Sequence, residues 1–244
     1  MSHPGFFDQD GGDRLSGVRV GVVTNNEDPK DLGRVKLRFP WRDADDESHW
    51  ARLATPMAGS EYGAYFLPEV DDEVLVAFED GDIHKPFVLG ALWNGSQKPP
   101  QKNTEGNNDI RQIESRSGHT ITFDDSEDTP NVEIETSAGH TIRLDDESGD
   151  EQISVEGKSG KNTITLDSSK GEISVVADKT LDLSAKNVKI DGSSEVSIST
   201  KSLDVSATSN AKISGGRNLK LKGQAAKLQG SGSVIIKGMP IKLN

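Results

Sequence analysis

Between residues 173 and 243 an apolar–x–apolar tripeptide occurs ten times: Ile173/Val175, Leu181/Leu183, Val188/Ile190, Val196/Ile198, Leu203/Val205, Ala211/Ile213, Leu219/Leu221, Ala226/Leu228, Val234/Ile236 and Ile241/Leu243. Successive pairs are seven or eight residues apart. Two apolar residues two apart share one face of a β-strand, because side chains alternate. A coiled coil would need apolar residues three and four apart among good helix formers, and here Ser, Thr, Gly and Asp fill the gaps. The pattern therefore predicts a train of short strands, each sheltering one or two side chains before the chain turns. Such a unit cannot bury a core by itself and has to stack on copies.

The first ninety-five residues read differently. Val18–Val23 alternates, with Val18, Val20 and Val22 on one face; Arg34–Phe39 alternates, with Val35, Leu37 and Phe39 opposite Arg34, Lys36 and Arg38. Trp50–Thr55, Glu73–Glu79 and Pro86–Leu92 complete five predicted strands. Asp80–Gly81 is a tight-turn signal between the last two, since Gly accepts positive φ. Five short strands without a helix predict a small barrel closed on itself, for which the OB-fold is the common solution.

Between these regions, residues 95–110 form a polar Pro/Gly/Asn connector. A second repeat follows: Ser117-Gly118-His119-Thr120-Ile121-Thr122-Phe123-Asp124-Asp125 returns as Ala138-Gly139-His140-Thr141-Ile142-Arg143-Leu144-Asp145-Asp146, and as Ser159 to Asp167 with one extra residue. Gly118, Gly139 and Gly160 are each 21 apart, with Val132/Ile134 and Ile153/Val155 between copies. Five strands are predicted here and ten below. The expected organisation is an N-terminal arm (1–16), an OB-fold domain (17–94), a linker (95–110), an upper β-shaft (111–170) and a lower β-helix needle with its tip (171–244). One strand per chain per layer, at about 4.8 Å a layer, gives a shaft of roughly 70 Å.

Composition sharpens this division. Eleven of the twelve aromatic residues lie within the first 93 positions, and 32% of the chain is hydrophobic. The mean hydropathy is −0.59, lean for a single large core. Residues 1–100 carry a charge of −8, 101–170 carry −9 and 171–244 carry +5. An acidic body argues against non-specific nucleic-acid binding, which needs Lys and Arg to displace counterions from phosphate. Half of the lysines of the basic stretch sit at the x of apolar–x–apolar and are expected to face solvent. With no cysteine there is neither a disulfide framework nor a Cys-ligated metal. No apolar run reaches the ~20 residues of a membrane span, and residues 1–8 lack the features of a signal peptide. Synthesis in the cytoplasm is expected, with any export by another route.

Several stretches resemble a known family. Leu67-Pro68-Glu69-Val70-Asp71-Asp72-Glu73-Val74-Leu75-Val76-Ala77-Phe78, then Gly81-Asp82 and Pro86-Phe87-Val88-Leu89-Gly90, resemble the OB domain of phage baseplate assembly protein V and the VgrG spikes. Leu32 to Trp41 is similar to that family's second strand, and the Ser117-Gly118-His119-Thr120-Ile121 repeats to the start of its needles. The resemblance implies an all-β chain: an N-terminal OB-fold barrel followed by a C-terminal intertwined trimeric β-helix, or β-prism, needle. It implies a homotrimeric central spike of a contractile tail or injection machine, docked under a hub and piercing the target envelope mechanically. The trimer core would be the repeat residues from Ile173 to Ile236. Before residue 15 there is no room for a hub domain, so the hub is expected to be a separate protein. No lysozyme-like insertion stands between 95 and 110, and no histidine follows His140 to supply the His-x-His iron site of some relatives.

The remaining candidate chemistry is sparse. His119 and His140 share strand parity with the apolar residues that follow, which admits either a three-fold ring of ligands or hydrogen-bonded packing residues. Asp124-Asp125 and Asp145-Asp146 could be glycosidase carboxylates, but they end strands, where Asp favours turns. Asp43, Asp45 and Glu47 loosely suggest a calcium loop, yet Ser48 stands where its Gly should be. No phosphate loop, nucleophile elbow or HExxH stretch is present. No catalytic residue, metal site or cofactor is therefore expected. Met239, Pro240, Ile241 and Leu243 are candidates for docking a small tip cap of the PAAR type, and Phe6 and Phe7 for contact with the hub. Assembly into a virion tail or an injection particle follows from the resemblance. The alternative is a single-chain β-helix that binds or cleaves carbohydrate, since three repeat units would give about 22 residues per coil.

Overall fold

The computed structural model describes residues 14–43 and 46–240. All regular structure among them is β, apart from a single 3-10 turn at Glu79–Gly81. Seven strands build the first region: β1 (Arg19–Asn25), β2 (Lys36–Arg38), β3 (Arg52–Leu53), β4 (Ala58–Gly59), β5 (Tyr62–Gly63), β6 (Glu73–Phe78) and β7 (Pro86–Leu92). Five of them form one sheet in the order β2-β1-β6-β7-β3, and β4 and β5 form a separate two-stranded ribbon. The sheet's two ends meet at a bridge between Val35 and Ala51, whose backbone groups exchange hydrogen bonds of 3.0 and 2.7 Å. That bridge closes the barrel and removes its open edges.

The core is Val23, Val35, Leu37, Phe39, Ala51, Val74, Val76, Phe78 and Val88. The alternation expected for residues 34–39 and 73–79 is what fills it. In β1 the structure decides which face of the alternation turns inward. Its buried residues are Gly21 and Val23, while Val18 and Val20 lie on the exposed side. The barrel interior is too narrow for a valine here: a Cβ on Gly21 would stand 3.3 Å from a methyl of Val76 and 3.4 Å from the Phe39 ring. Packing against the opposite wall, rather than the apolar count along the strand, decides which face goes in.

The loop before β2 is fixed by a buried ion pair. The Asp28 carboxylate accepts from Arg34 Nε at 2.8 Å and Nη2 at 2.7 Å, and from the backbone N–H of Lys30 and Leu32. The Arg34 guanidinium, helped by these N–H donors and opposed by partial burial, holds the Asp28 carboxyl well below the usual carboxylate range. The Asp80–Gly81 signal is met as read: both residues have positive φ, 53° and 75°, and the Asp82 N–H donates back to the Glu79 carbonyl at 2.9 Å.

Seven further strands follow: β8 (Ile110–Glu114), β9 (Thr120–Asp124), β10 (Asn131–Glu135), β11 (Thr141–Asp145), β12 (Gln152–Glu156), β13 (Thr163–Asp167) and β14 (Glu172–Val176). They form an antiparallel meander in chain order. The five strands expected between 111 and 170 are all present; β8 is added at one edge, and the first of the ten lower strands, Ile173/Val175, joins the other edge as β14. β8 was not legible because its apolar residues, Ile110 and Ile113, are three apart rather than two. Interweaving of separate chains is not what pairs these strands; each bonds to its own sequence neighbours. The reason is loop length, since the four to six residues between strands suffice to return the chain antiparallel. From Ala177 to Pro240 no strand is formed within the chain, and every residue from Lys179 to Pro240 is exposed. Residues 183–244 separate as a unit of their own.

Candidate assembly surface

The meander is held in register by two alternating kinds of turn. On one edge, Gly118, Gly139 and Gly160 take positive φ (79°, 82° and 67°). Gly118 N–H donates to the Ser115 carbonyl, and Ser115 N–H to the His119 carbonyl, at 2.8 and 2.9 Å. This is a turn closed by a left-handed residue, for which glycine is the fitting choice. On the other edge aspartates cap the turns: Asp124 Oδ1 accepts from Ser126 N–H, Asp145 Oδ1 from Glu147 N–H and Asp167 Oδ1 from Lys170 N–H. The Lys170 ammonium, with Ser169 and the backbone, holds the Asp167 carboxyl down to about 2. The carboxylates of Asp124, Asp145 and Asp167 are thus engaged in turn geometry.

A third set of bonds ties each glycine turn to the next. His119 Nδ1 accepts from Ser137 N–H at 3.2 Å, and His140 Nδ1 from Lys158 N–H at 3.3 Å. In the third copy, which has one extra residue, Asn162 Oδ1 accepts from Asp178 N–H at 2.9 Å. The 21-residue period is thus the distance between rungs of a side-chain ladder. Both histidines are exposed and serve as hydrogen-bond acceptors. Among the described residues no three His, Asp or Glu side chains gather as metal ligands. Glu47 is committed to Lys36 and Thr24, and those two partners hold its carboxyl below the ordinary range; Asp45 lies outside the described residues.

Register then creates the main surface. Ile113, Ile121, Ile134, Ile142, Val155, Ile164 and Val175 stand opposite one another on successive strands. Phe123, Val132, Leu144, Ile153, Leu166 and Ile173 form a second column beside them. Two columns of apolar side chains therefore cover one face of all but the first strand, and among the described residues most of them stay open to water. Most of these side chains are about 40% exposed or more, while Ser154, on the polar face, is 8% exposed. In this sheet the apolar face is more open to water than the polar one. On the polar face Arg143 bridges Glu133 on β10 and Asp145 on its own strand, at 3.6 and 3.0 Å.

The expected trimer-core residues have the same character. Ile173 and Val175 belong to β14 and to the two columns. Leu181, Leu183, Val188, Ile190, Val196, Ile198, Leu203, Val205, Ile213, Leu219, Leu221, Leu228, Val234 and Ile236 are all exposed, on a stretch without pairing of its own. Met239 is fully exposed, Pro240 is exposed, and Ile241, Leu243, Phe6 and Phe7 lie outside the described residues. One surface was not singled out from the sequence. Met57, Tyr62, Tyr65 and Phe66 are exposed on and around the β4–β5 ribbon, with Tyr65 against the Leu32–Gly33 turn. Its only signal was three aromatics in a segment that fitted none of the five strands.

Residues 19–93 match the model of the type VI secretion system/phage-baseplate injector OB domain. The barrel is similar to an injector OB domain. Over 95 residues the chain is 36% identical to the type VI secretion system spike protein VgrG2a of Pseudomonas aeruginosa, covering 36% of this chain and 11% of that protein. It is 37% identical over 73 residues to the spike protein VgrG3 of Vibrio cholerae, covering 28% of this chain and 7% of that one. Another similar protein is the actin cross-linking toxin VgrG1 of Vibrio cholerae, 30% identical over 95 residues, with 36% and 9% covered. The chain thus spans about a tenth of the length of these curated relatives. The likeness to VgrG-type spikes expected from the sequence holds over the barrel region.

Proposed function

We propose that this chain is a structural spike of a contractile injection machine or phage-type baseplate, working as a homotrimer. The carrying observation is the uncovered double column of apolar residues on β9–β14. A sheet that exposes one whole apolar face needs a second layer, and two more copies of the same face supply it by closing a three-sided prism. Below it the unpaired repeats from Leu181 to Ile236 fit strands whose hydrogen-bond partners are the equivalent segments of two other chains. Likeness to VgrG spike proteins supports the same reading.

In this assembly the domains divide as expected from the sequence: barrel to 94, linker to 110, prism and then needle. A hub partner sits above the OB barrels and contacts Phe6 and Phe7, and a small cap docks on Met239, Pro240, Ile241 and Leu243. The work is mechanical, driving a stiff rod through a target envelope, and no step requires a catalytic group or cofactor. The particle is either a virion tail or a type VI-like injection system.

The single-chain coil is disfavoured by one observation: a solenoid pairs each strand with its own chain one coil later, whereas residues 177–240 make no such pairs. Native mass in dilute solution tests the choice. The spike predicts three times 26.3 kDa, stable to dilution. A compact species of one times that mass sinks it.

A further inference from the structure

Besides the two histidines of the meander ladder, the barrel carries His49 and His84. β3 runs parallel to β7 in a register that sets Arg52 beside Phe87 and Leu53 beside Val88. Carried three residues upstream, the same offset sets His49 beside His84. Neighbours across a pair of strands sit about 4.8 Å apart, and the two imidazole centroids are 5.0 Å apart with the rings tilted by 39°. The backbone holds both residues in place. His49 stands two positions before Ala51, whose bridge to Val35 closes the barrel, and its carbonyl accepts from Ser48 Oγ at 2.7 Å. His84 stands two positions before β7, and its N–H donates to Asp82 Oδ1 at 2.9 Å. Both residues are exposed. Among the described residues neither ring hydrogen-bonds to another protein group, unlike the rings of His119 and His140.

We propose that His49 and His84 together bind one divalent transition-metal ion of the imidazole-preferring kind, typified by Zn²⁺, across the closure of the barrel. Zn–N bonds of about 2.0–2.1 Å, with each ring centre about 1.1 Å beyond its nitrogen, put two imidazole centres roughly 5.2 Å apart on a tetrahedral ion. The observed 5.0 Å meets that spacing without backbone movement, and rotation about the Cβ–Cγ bonds aims a nitrogen of each exposed ring at the ion. Water fills the remaining positions, because among the described residues no third His, Asp or Glu side chain joins the pair. Surrounding charge favours a cation. Residues 43–49 carry four acidic groups and no Lys or Arg, and residues 79–85 carry three acidic groups and one lysine. That lysine, Lys85, is 3.5 Å from the Glu79 carboxylate, which offsets its charge. Ca²⁺ and Mg²⁺ fit poorly, since they require oxygen ligands rather than imidazole. The site lies wholly within one barrel, so it stands apart from the trimeric reading.

The test is calorimetric titration of the untagged full chain with Zn²⁺ and with Mg²⁺, alongside urea unfolding of the barrel in each ion. One Zn²⁺ should bind per chain and raise the urea midpoint, because the ion joins the two segments only in the folded state, and Mg²⁺ should do neither. His49→Ala and His84→Ala should each weaken Zn²⁺ binding on the order of a hundredfold, since even a lost outer-shell partner costs a metal site that much. His119→Asn combined with His140→Asn should leave binding unchanged. If an alanine variant misfolds, the imidazole proton signals of the unaltered chain decide: those of His49 and His84 should shift with Zn²⁺, and those of His119 and His140 should not. No Zn²⁺ binding, binding that survives both alanine substitutions, or an equal response to Mg²⁺ overturns the site and leaves the spike reading standing. A monomer that binds Zn²⁺ through His49 and His84 keeps the site and discards the spike.

Discussion

The barrel and the meander are built from similar strands yet reach opposite solutions. In the barrel, five strands curl until Val35 meets Ala51, and nine side chains lose nearly all contact with water. In the meander, seven strands of regular five-residue length lie side by side, and their apolar columns stay open. The barrel sequence supplies bulges, at Val23/Asn25 and Leu75/Val76, and a glycine where walls approach. Bulges bend and twist a strand, which is how a small sheet closes. The meander registers have no bulge. A regular ladder cannot fold over its own apolar face, so cover for that face has to come from outside the sheet, whereas the barrel covers its own.

The contrast can be broken most severely by a charge on the open face. Ile142→Asp, in mid-column between Ile134 and Val155, would place three carboxylates in the core of the proposed trimer. The cost of an unpaired buried charge is about 3–5 kcal/mol per site, enough to lose the trimer outright. Sedimentation velocity should show the assembly gone, with barrel signals retained. The converse change is Leu37→Ala. It should cost the barrel about 2–5 kcal/mol by urea unfolding and leave the native mass unaltered.

Acid offers a third way to separate the regions. Asp28 is depressed in the folded barrel, so its contribution is full above the ordinary carboxylate range and is lost as pH falls through that range toward the folded value. Urea midpoints of the barrel between pH 5 and 2 should therefore fall in the natural chain, and fall less in Asp28→Asn, which starts lower. Smaller effects belong to the meander's turns. Gly139→Ala forces a left-handed residue to carry a Cβ and should cost about 1 kcal/mol, because the nearest neighbour, Lys158 Cβ at 3.8 Å, is no obstacle. Smallest of all, His140→Asn should be close to neutral, since Asn162 already fills the equivalent rung, while His140→Ala should cost about 0.5–1.5 kcal/mol. Thermal unfolding of the assembled chain measures both.

By itself the sequence determined the main strands of the barrel and β9 to β14 of the meander, the glycine and aspartate turns and the resemblance to injector OB domains, because alternation, positive φ and side-chain capping are local properties. It gave the 21-residue period without its cause, since His119 and Ser137 are distant in sequence and only pairing brings them together. The inward face of β1 was open in the sequence for the same kind of reason: Val18, Val20 and Val22 outnumber Gly21 and Val23 in apolar content, but the opposite wall of the barrel has room only for the latter. Tertiary structure alone decided that residues 110–176 pair within one chain and that their apolar side chains align into unbroken columns. Register between strands is a collective outcome of pairing and turn length, and no single tripeptide encodes it.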